Sequence, residues 1–215
     1  MRKILLLASI VAIFASCSSK SNFELEVNIN NNNSLKDKQF VITQKVEGIA
    51  VYTDIMKIKD NKFLLKIPYE GLGLLNVSIP DSDINDIMLA AEKGVIQLNI
   101  EGNKVHIGGT PTNDRLQAFY NGNDSISLLF SKLDNEYTLK YEAEPNNPQL
   151  YAEHRSKRHS LIKENTDRIV AFIKENVDNP VGEYYFMINY ETFSVERKRE
   201  LYSFATEKIK KEFNW

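Results

Sequence analysis

Cys17 is the only cysteine in this 215-residue chain. A single cysteine forms no internal disulfide and cannot run dithiol exchange, which needs two thiols close enough to bridge. His154 and His159 are the next candidates. They stand five apart in a helical stretch, so about 140° of rotation separates them, whereas metal pairs on a helix want a spacing of three or four. A solvated face is the expectation for both, and no metal site is expected. His106 alternates with Val105 and Ile107, which turns it away from the core. Gly108-Gly109 ahead of a helix start offers an anion cradle, but without the spacing of a phosphate loop. Glu92 and Glu101 flank one strand. Paired carboxylates can do acid–base work, yet at strand ends they are expected to be solvated. No Gly-x-Ser-x-Gly elbow is present. Tyr184, Tyr185, Phe186 and Tyr190, with Phe193 behind them, exceed what one buried helix face can absorb. Tyr184, Tyr185 and Tyr190 are therefore the candidates for a ligand or partner groove.

The elements that must position these residues change character near Pro111. Before it, apolar residues alternate with period two; after it, they recur with helical spacing. Phe23, Leu25, Val27 and Ile29 mark a half-buried strand, ended by the Asn-rich turn Asn30–Ser34. Phe40 and Ile42 mark a second, and Ala50–Lys59 a third that runs into the turn pair Asp60-Asn61. Phe63, Leu65 and Ile67 form another, closed by Pro68, and Leu75, Val77 and Ile79 one stopped by Pro80. Met88–Glu92 is expected to turn through Lys93-Gly94 into Ile96, Leu98 and Ile100, and that strand through Gly102-Asn103 into Val105 and Ile107. Eight short strands predict an antiparallel β-sandwich or barrel over 23–110.

Residues 111–215 read as a helical segment packed on that domain, an α+β class. Thr110 caps and Pro111 occupies the first helical position. Gly122 interrupts the apolar stripe, placing Asp124 and Ser125 in a loop. A long helix is predicted over 149–177 with Leu161, Ile162, Ile169, Phe172 and Ile173 facing the core, and Glu153–Ser160 facing solvent. Asn179-Pro180 starts a further helix. Ser194 caps a last one, with Leu201, Phe204, Ala205 and Ile209 inward.

The N-terminus carries an address. Met1-Arg2-Lys3 precedes an apolar run from Ile4 to Phe14, a charged region and an apolar core of signal-peptide length, too short for a permanent bilayer span of about 20 residues. The run ends in Phe14-Ala15-Ser16-Cys17, which resembles the lipobox of bacterial lipoproteins, although Phe14 departs from the usual aliphatic residue. The resemblance implies that 1–16 is cleaved and that Cys17 becomes the lipidated first residue. Residues 17–22 are then a polar tether, and the partner at that end is the membrane. Several acyl chains on one cysteine anchor firmly, at about 0.8 kcal/mol per buried CH₂. No acidic residue directly follows Cys17. By the sorting rules of Gram-negative lipoproteins, that implies the outer membrane, facing the periplasm. Formal net charge is −2, and loss of Arg2 and Lys3 makes it more negative, so no nucleic-acid partner is expected.

Three stretches carry a wider likeness: Asp60-Asn61-Lys62-Phe63, Glu92-Lys93-Gly94 leading to Ile96, Leu98 and Ile100, and Gly109-Thr110-Pro111-Thr112-Asn113 followed by Leu116 and Phe119. They resemble two hairpins and the helix entry of the N-terminal domain, of unassigned function, that precedes the thioredoxin module in membrane-anchored thiol–disulfide oxidoreductases of anaerobic Gram-negative bacteria. Phe172–Asn176 with Asn179-Pro180-Val181-Gly182 is similar to the adjoining helical part. The sequence stops at Trp215, where the thioredoxin module would begin, and holds no Trp-Cys-x-x-Cys. The resemblance thus implies fold and location but no redox activity and no cofactor. Asp124-Ser125-Ile126 resembles the short O-glycosylation pattern of such bacteria, which marks Ser125. The expectation is a non-catalytic binding or scaffold lipoprotein of the envelope. The alternative is an accessory subunit docking to a separate thioredoxin-like partner.

Overall fold

The computed structural model describes residues 21–212. Eight strands precede five α-helices among them: β1 (Asn22–Asn30), β2 (Gln39–Val46), β3 (Ile49–Lys57), β4 (Lys62–Pro68), β5 (Gly73–Ser78), β6 (Ile87–Ala91), β7 (Val95–Glu101), β8 (Lys104–Gly108), then α1 (Pro111–Ala143), α2 (Pro148–Glu175), α3 (Pro180–Asn189), α4 (Val195–Phe204) and α5 (Glu207–Glu212). The strands make two four-stranded sheets, ordered β4-β1-β7-β8 and β3-β2-β5-β6. The α+β class with a sandwich-like β half is as the sequence predicts.

Alternation sets the buried face in β1, β2, β5 and β7, whereas β3 is exposed along most of its length. Phe23, Leu25, Val27 and Ile29 of β1 and Ile96, Leu98 and Ile100 of β7 point inward, and they meet Phe40, Ile42, Leu75, Val77 and Leu89 from the other sheet in one core. Partners are another matter. β1 pairs with β7 in parallel, the one departure among six pairings from an all-antiparallel arrangement. Lys93-Gly94 and Asp60-Asn61 are not hairpin turns. Each carries the chain from one sheet to the other, β6 to β7 and β3 to β4. Period-two patterning sets which face is buried, not which strand lies alongside. The expected β7–β8 hairpin is present, and β2–β3 is a hairpin through Glu47-Gly48.

The helices differ from expectation in three places. α1 runs unbroken through Gly122, because the Arg168 guanidinium of α2 lies against the bare Cα; a Cβ there would collide with it. Ile162 is 49% exposed rather than inward, and Val170 takes the core position instead. The final helix breaks at Ala205–Thr206, so Leu201 and Ile209 reach a second small core from two helices. Pro111, Pro148 and Pro180 each open a helix, where a missing N–H costs nothing. α1 and α2 run antiparallel, since Phe119 stacks on Phe172 near one end and Tyr137 on His154 near the other. α1 is 33 residues long, so it extends about 50 Å, and its distal half forms an arm with α2. No helix among the described residues is long and apolar enough to cross a membrane.

Candidate functional site

Cys17 lies outside the described residues. The remaining candidates sort by what they touch. Ser125 is not in a loop: it sits in α1, exposed, with its hydroxyl donating to the Asn121 carbonyl at 2.9 Å. The anion cradle at Gly108-Gly109 is filled from within, because Asp114 Oδ1 accepts the Gly109 N–H at 3.0 Å and stands where a Cβ on Gly108 would go. Glu92 is not free for acid–base work. Its Oε2 accepts the Thr112 N–H at 3.0 Å in the first turn of α1, where a carboxylate complements the helix dipole. Glu101 is exposed at the far end of β7. His106 is exposed on β8, as the alternation predicts.

His154 departs from the solvated face expected of it. Its side chain is only 16% exposed, bonds Asp134 at 2.8 Å and stacks on Tyr137 with centroids 4.3 Å apart. His159 stays exposed. No group of three or more metal-ligating side chains exists among the described residues.

The three tyrosines separate. Tyr185 packs edge-on to Phe119 and Phe172, and burial pushes its phenol above the ordinary value. Burial raises Tyr120 too, mainly by desolvation and then by Tyr185 beside it, and the Tyr120 hydroxyl donates to the Met88 carbonyl at 3.4 Å. Both phenols therefore stay protonated and structural. Tyr190 stacks on Phe186 in the second core, under Lys198. Tyr185 also lines a small groove of about 330 Å³ between α1, α2 and α3, and Tyr184, 37% exposed, opens onto a larger one. A run of aromatics on a helix of 3.6-residue period must face several directions, which divides them.

That groove holds about 780 Å³, within the range of ligand sites. Its floor is the outer face of β2, β5 and β6, where the register aligns Lys45 with Leu74 and Asn76 with Met88. One wall is α3, through Tyr184 and Met187, and Leu72 closes an end. Glu47 on the β2–β3 turn, Asp86 before β6 and Asp178 before α3 rim it, with the ion pair Glu183–Lys208 at 2.8 Å. α3 is oriented by Asn179, whose Oδ1 accepts the Val181 and Gly182 N–H groups at 3.0 and 3.3 Å. The sequence marks Tyr184 alone. The other lining residues come from several elements distant in the chain, and the signal available was outward-facing Leu74 and Met88 in strands whose other face is the core.

The groove has a floor of Leu74 and Met88 interspersed with Lys45 and Asn76, and a charged rim. Among the described residues it gathers no cysteine, serine–histidine pair or metal-ligand set. No curated protein and no solved structure matches this chain. Residues 23–116, covering the whole sandwich and the first turn and a half of α1, match the family described as a domain of unknown function, DUF4369.

Proposed function

We propose that this chain is a lipid-anchored, non-catalytic binding module of the cell envelope, held at the outer membrane through Cys17 and facing the periplasm, and that it takes its partner in the groove between β2, β5, β6 and α3. The observation that carries the reading is Met187. It is 47% exposed on α3 and, together with Tyr184 and Leu72, leaves an apolar surface open beside Leu74 and Met88. Methionine is unbranched and polarisable, so a wall of this kind adapts to a partner's side chains.

The test is site-specific photocrosslinking in intact envelopes, with p-benzoylphenylalanine at position 187 and, as control, at exposed Lys104 on the opposite sheet. A discrete product at 187 that is absent at 104 and lost with Tyr184→Asp is expected. Equal products at both positions overturn the reading. A product containing a thioredoxin-like protein with a cysteine pair would make the module an accessory of that protein. Intact-mass analysis of the same extracts should find acyl groups on a Cys17 N-terminus. A free thiol there removes the anchor from the proposal.

A further inference from the structure

We propose that the groove receives an extended peptide segment in which apolar side chains alternate with lysine or arginine, because its apolar side chains, Leu74, Met88, Tyr184 and Met187, are rimmed by three carboxylates from three separate elements. The inference rests on the groove being the binding site and adds the class of its occupant. Glu47, Asp86 and Asp178 have no ion pair among the described residues. Glu183 is already neutralised by Lys208, which leaves Lys45, on the floor, as the one opposing charge among the lining residues. The excess is therefore acidic.

One ammonium group answers one carboxylate at about 4 Å. Three carboxylates held apart by a β-turn, an inter-strand loop and a helix entry require cations spaced along the ligand. The same lining holds Leu74, Met88 and Met187, which favour apolar groups at the same time. An extended chain meets both demands: alternate side chains face the floor, and the long lysine or arginine stems of the other face reach back past the backbone to the rim carboxylates. The acidic rim repels anionic lipid headgroups and phosphate backbones, so a peptide fits and a membrane surface or nucleic acid does not.

The probe is a dye-labelled heptapeptide, Lys-Leu-Lys-Leu-Lys-Leu-Lys, with its Glu-Leu counterpart as the opposed probe. Anisotropy is read against the full chain in phosphatidylcholine nanodiscs, with empty discs as blank. The basic peptide should bind at least about tenfold more tightly than the acidic one. The pair Asp86→Lys and Asp178→Lys should remove about the same factor, and raising salt to about 0.5 M should weaken binding several-fold. Asp86→Asn with Asp178→Asn serves if the reversals disturb folding, and should give a smaller loss of the same sign. Equal binding of the two probes, or affinity unmoved by both variant pairs, overturns the proposal. If crosslinking at 187 succeeds while the basic peptide shows no preference, the groove binds and the class of its occupant is wrong. If both fail, the binding reading falls with it.

Discussion

The two ends of α1 are held by opposite kinds of interaction. At its start, beside the Glu92 carboxylate on the Thr112 N–H, the bonds to the sheet edges come from neutral side-chain amides. Asn113 is fully buried; its Oδ1 accepts the Ala90 N–H at 2.9 Å and its Nδ2 donates to the Ala90 carbonyl at 3.0 Å, so the side-chain amide pairs with edge strand β6 as another strand would. One turn on, Gln117 Oε1 accepts the Ile107 N–H at 2.6 Å on β8, the edge of the other sheet. In its distal half the helix is held by charge at the surface. Asp134 bonds His154 at 2.8 Å, and its two oxygens both accept from Arg158 Nη1, at 2.9 and 2.8 Å, with Arg158 over Phe130. Low-dielectric, dry contacts are costly to break, whereas exposed ion pairs contribute little. The junction should therefore set global stability, and the arm should set only its own.

The same contrast explains the edges of the sandwich. An unpaired edge strand invites pairing with another chain. α1 covers β6 and β8 with side-chain amides. On the other side β4 carries Lys62, Lys66 and Pro68, with Lys62 paired to Glu26 at 2.6 Å. β3 is kinked by a bulge: Gln44 faces Tyr52 but Lys45 faces Ala50, so Val51 is left over.

The largest effect is expected from Asn113→Ala. It strands a buried N–H and a buried carbonyl on β6, which should lower unfolding free energy by about 3 kcal/mol in urea melts. A loss under about 1 kcal/mol would mean that water reaches Ala90 and that the junction is no drier than the arm. Gly182→Ala should follow at about 2 kcal/mol, because a Cβ there lands on the Asn176 backbone carbonyl and pushes α3 from α2. Unchanged melting would show that α3, and the groove wall with it, sits loosely. At the arm's tip Asn147 caps α2 by accepting the Gln149 and Leu150 N–H groups at 3.0 and 3.3 Å. Asn147→Ala should cost about 1 kcal/mol locally. That loss should appear as faster amide exchange in residues 127–160 with little shift in global melting.

Much of this architecture is written in local patterns, and the junction is not. Most strands follow from alternation, and the Asn179-Pro180 start from capping chemistry; at Thr110-Pro111 the proline alone marks the start, because the Thr110 hydroxyl caps no helix N–H and accepts from Asn113 Nδ2 instead. Strand partners do not, because Lys93-Gly94 turns the chain equally well into a hairpin or across to a second sheet. Asn113 reads as an ordinary polar residue in a first helical turn. Its role requires knowing that β6 ends a sheet there. Ser125 sits within α1 because Gly122, a break by local pattern, makes room for Arg168 across the helix pair. His154 and Arg158 sit in a stretch of charge that looks solvated throughout. Only a partner helix at the right distance shows that one side of it meets Asp134. The groove was legible through Tyr184 alone.

The smallest effect is expected from Asp134→Asn, and it tests the other side of the contrast. The His154 hydrogen bond, and after it the Arg158 pair, holds the Asp134 carboxyl below the ordinary value. A depressed acid contributes stability above its unfolded pKa, near 3.9, and the contribution disappears as pH falls through the lower folded value. The arm should therefore keep its helicity down to about pH 4 and lose part of it below that. The Asn variant carries no charge to lose, so it should start with slightly less distal helix and show none of the extra acid-dependent loss. Other carboxylates titrate in the same window, so the informative quantity is the difference between the two proteins in far-UV circular dichroism, measured at low and at high salt. Because the pair is exposed, salt should shrink that difference. A difference that survives high salt, or that is accompanied by a shift in global melting, would mean that the arm's charges are coupled to the buried junction and that the two ends of α1 form one cooperative unit.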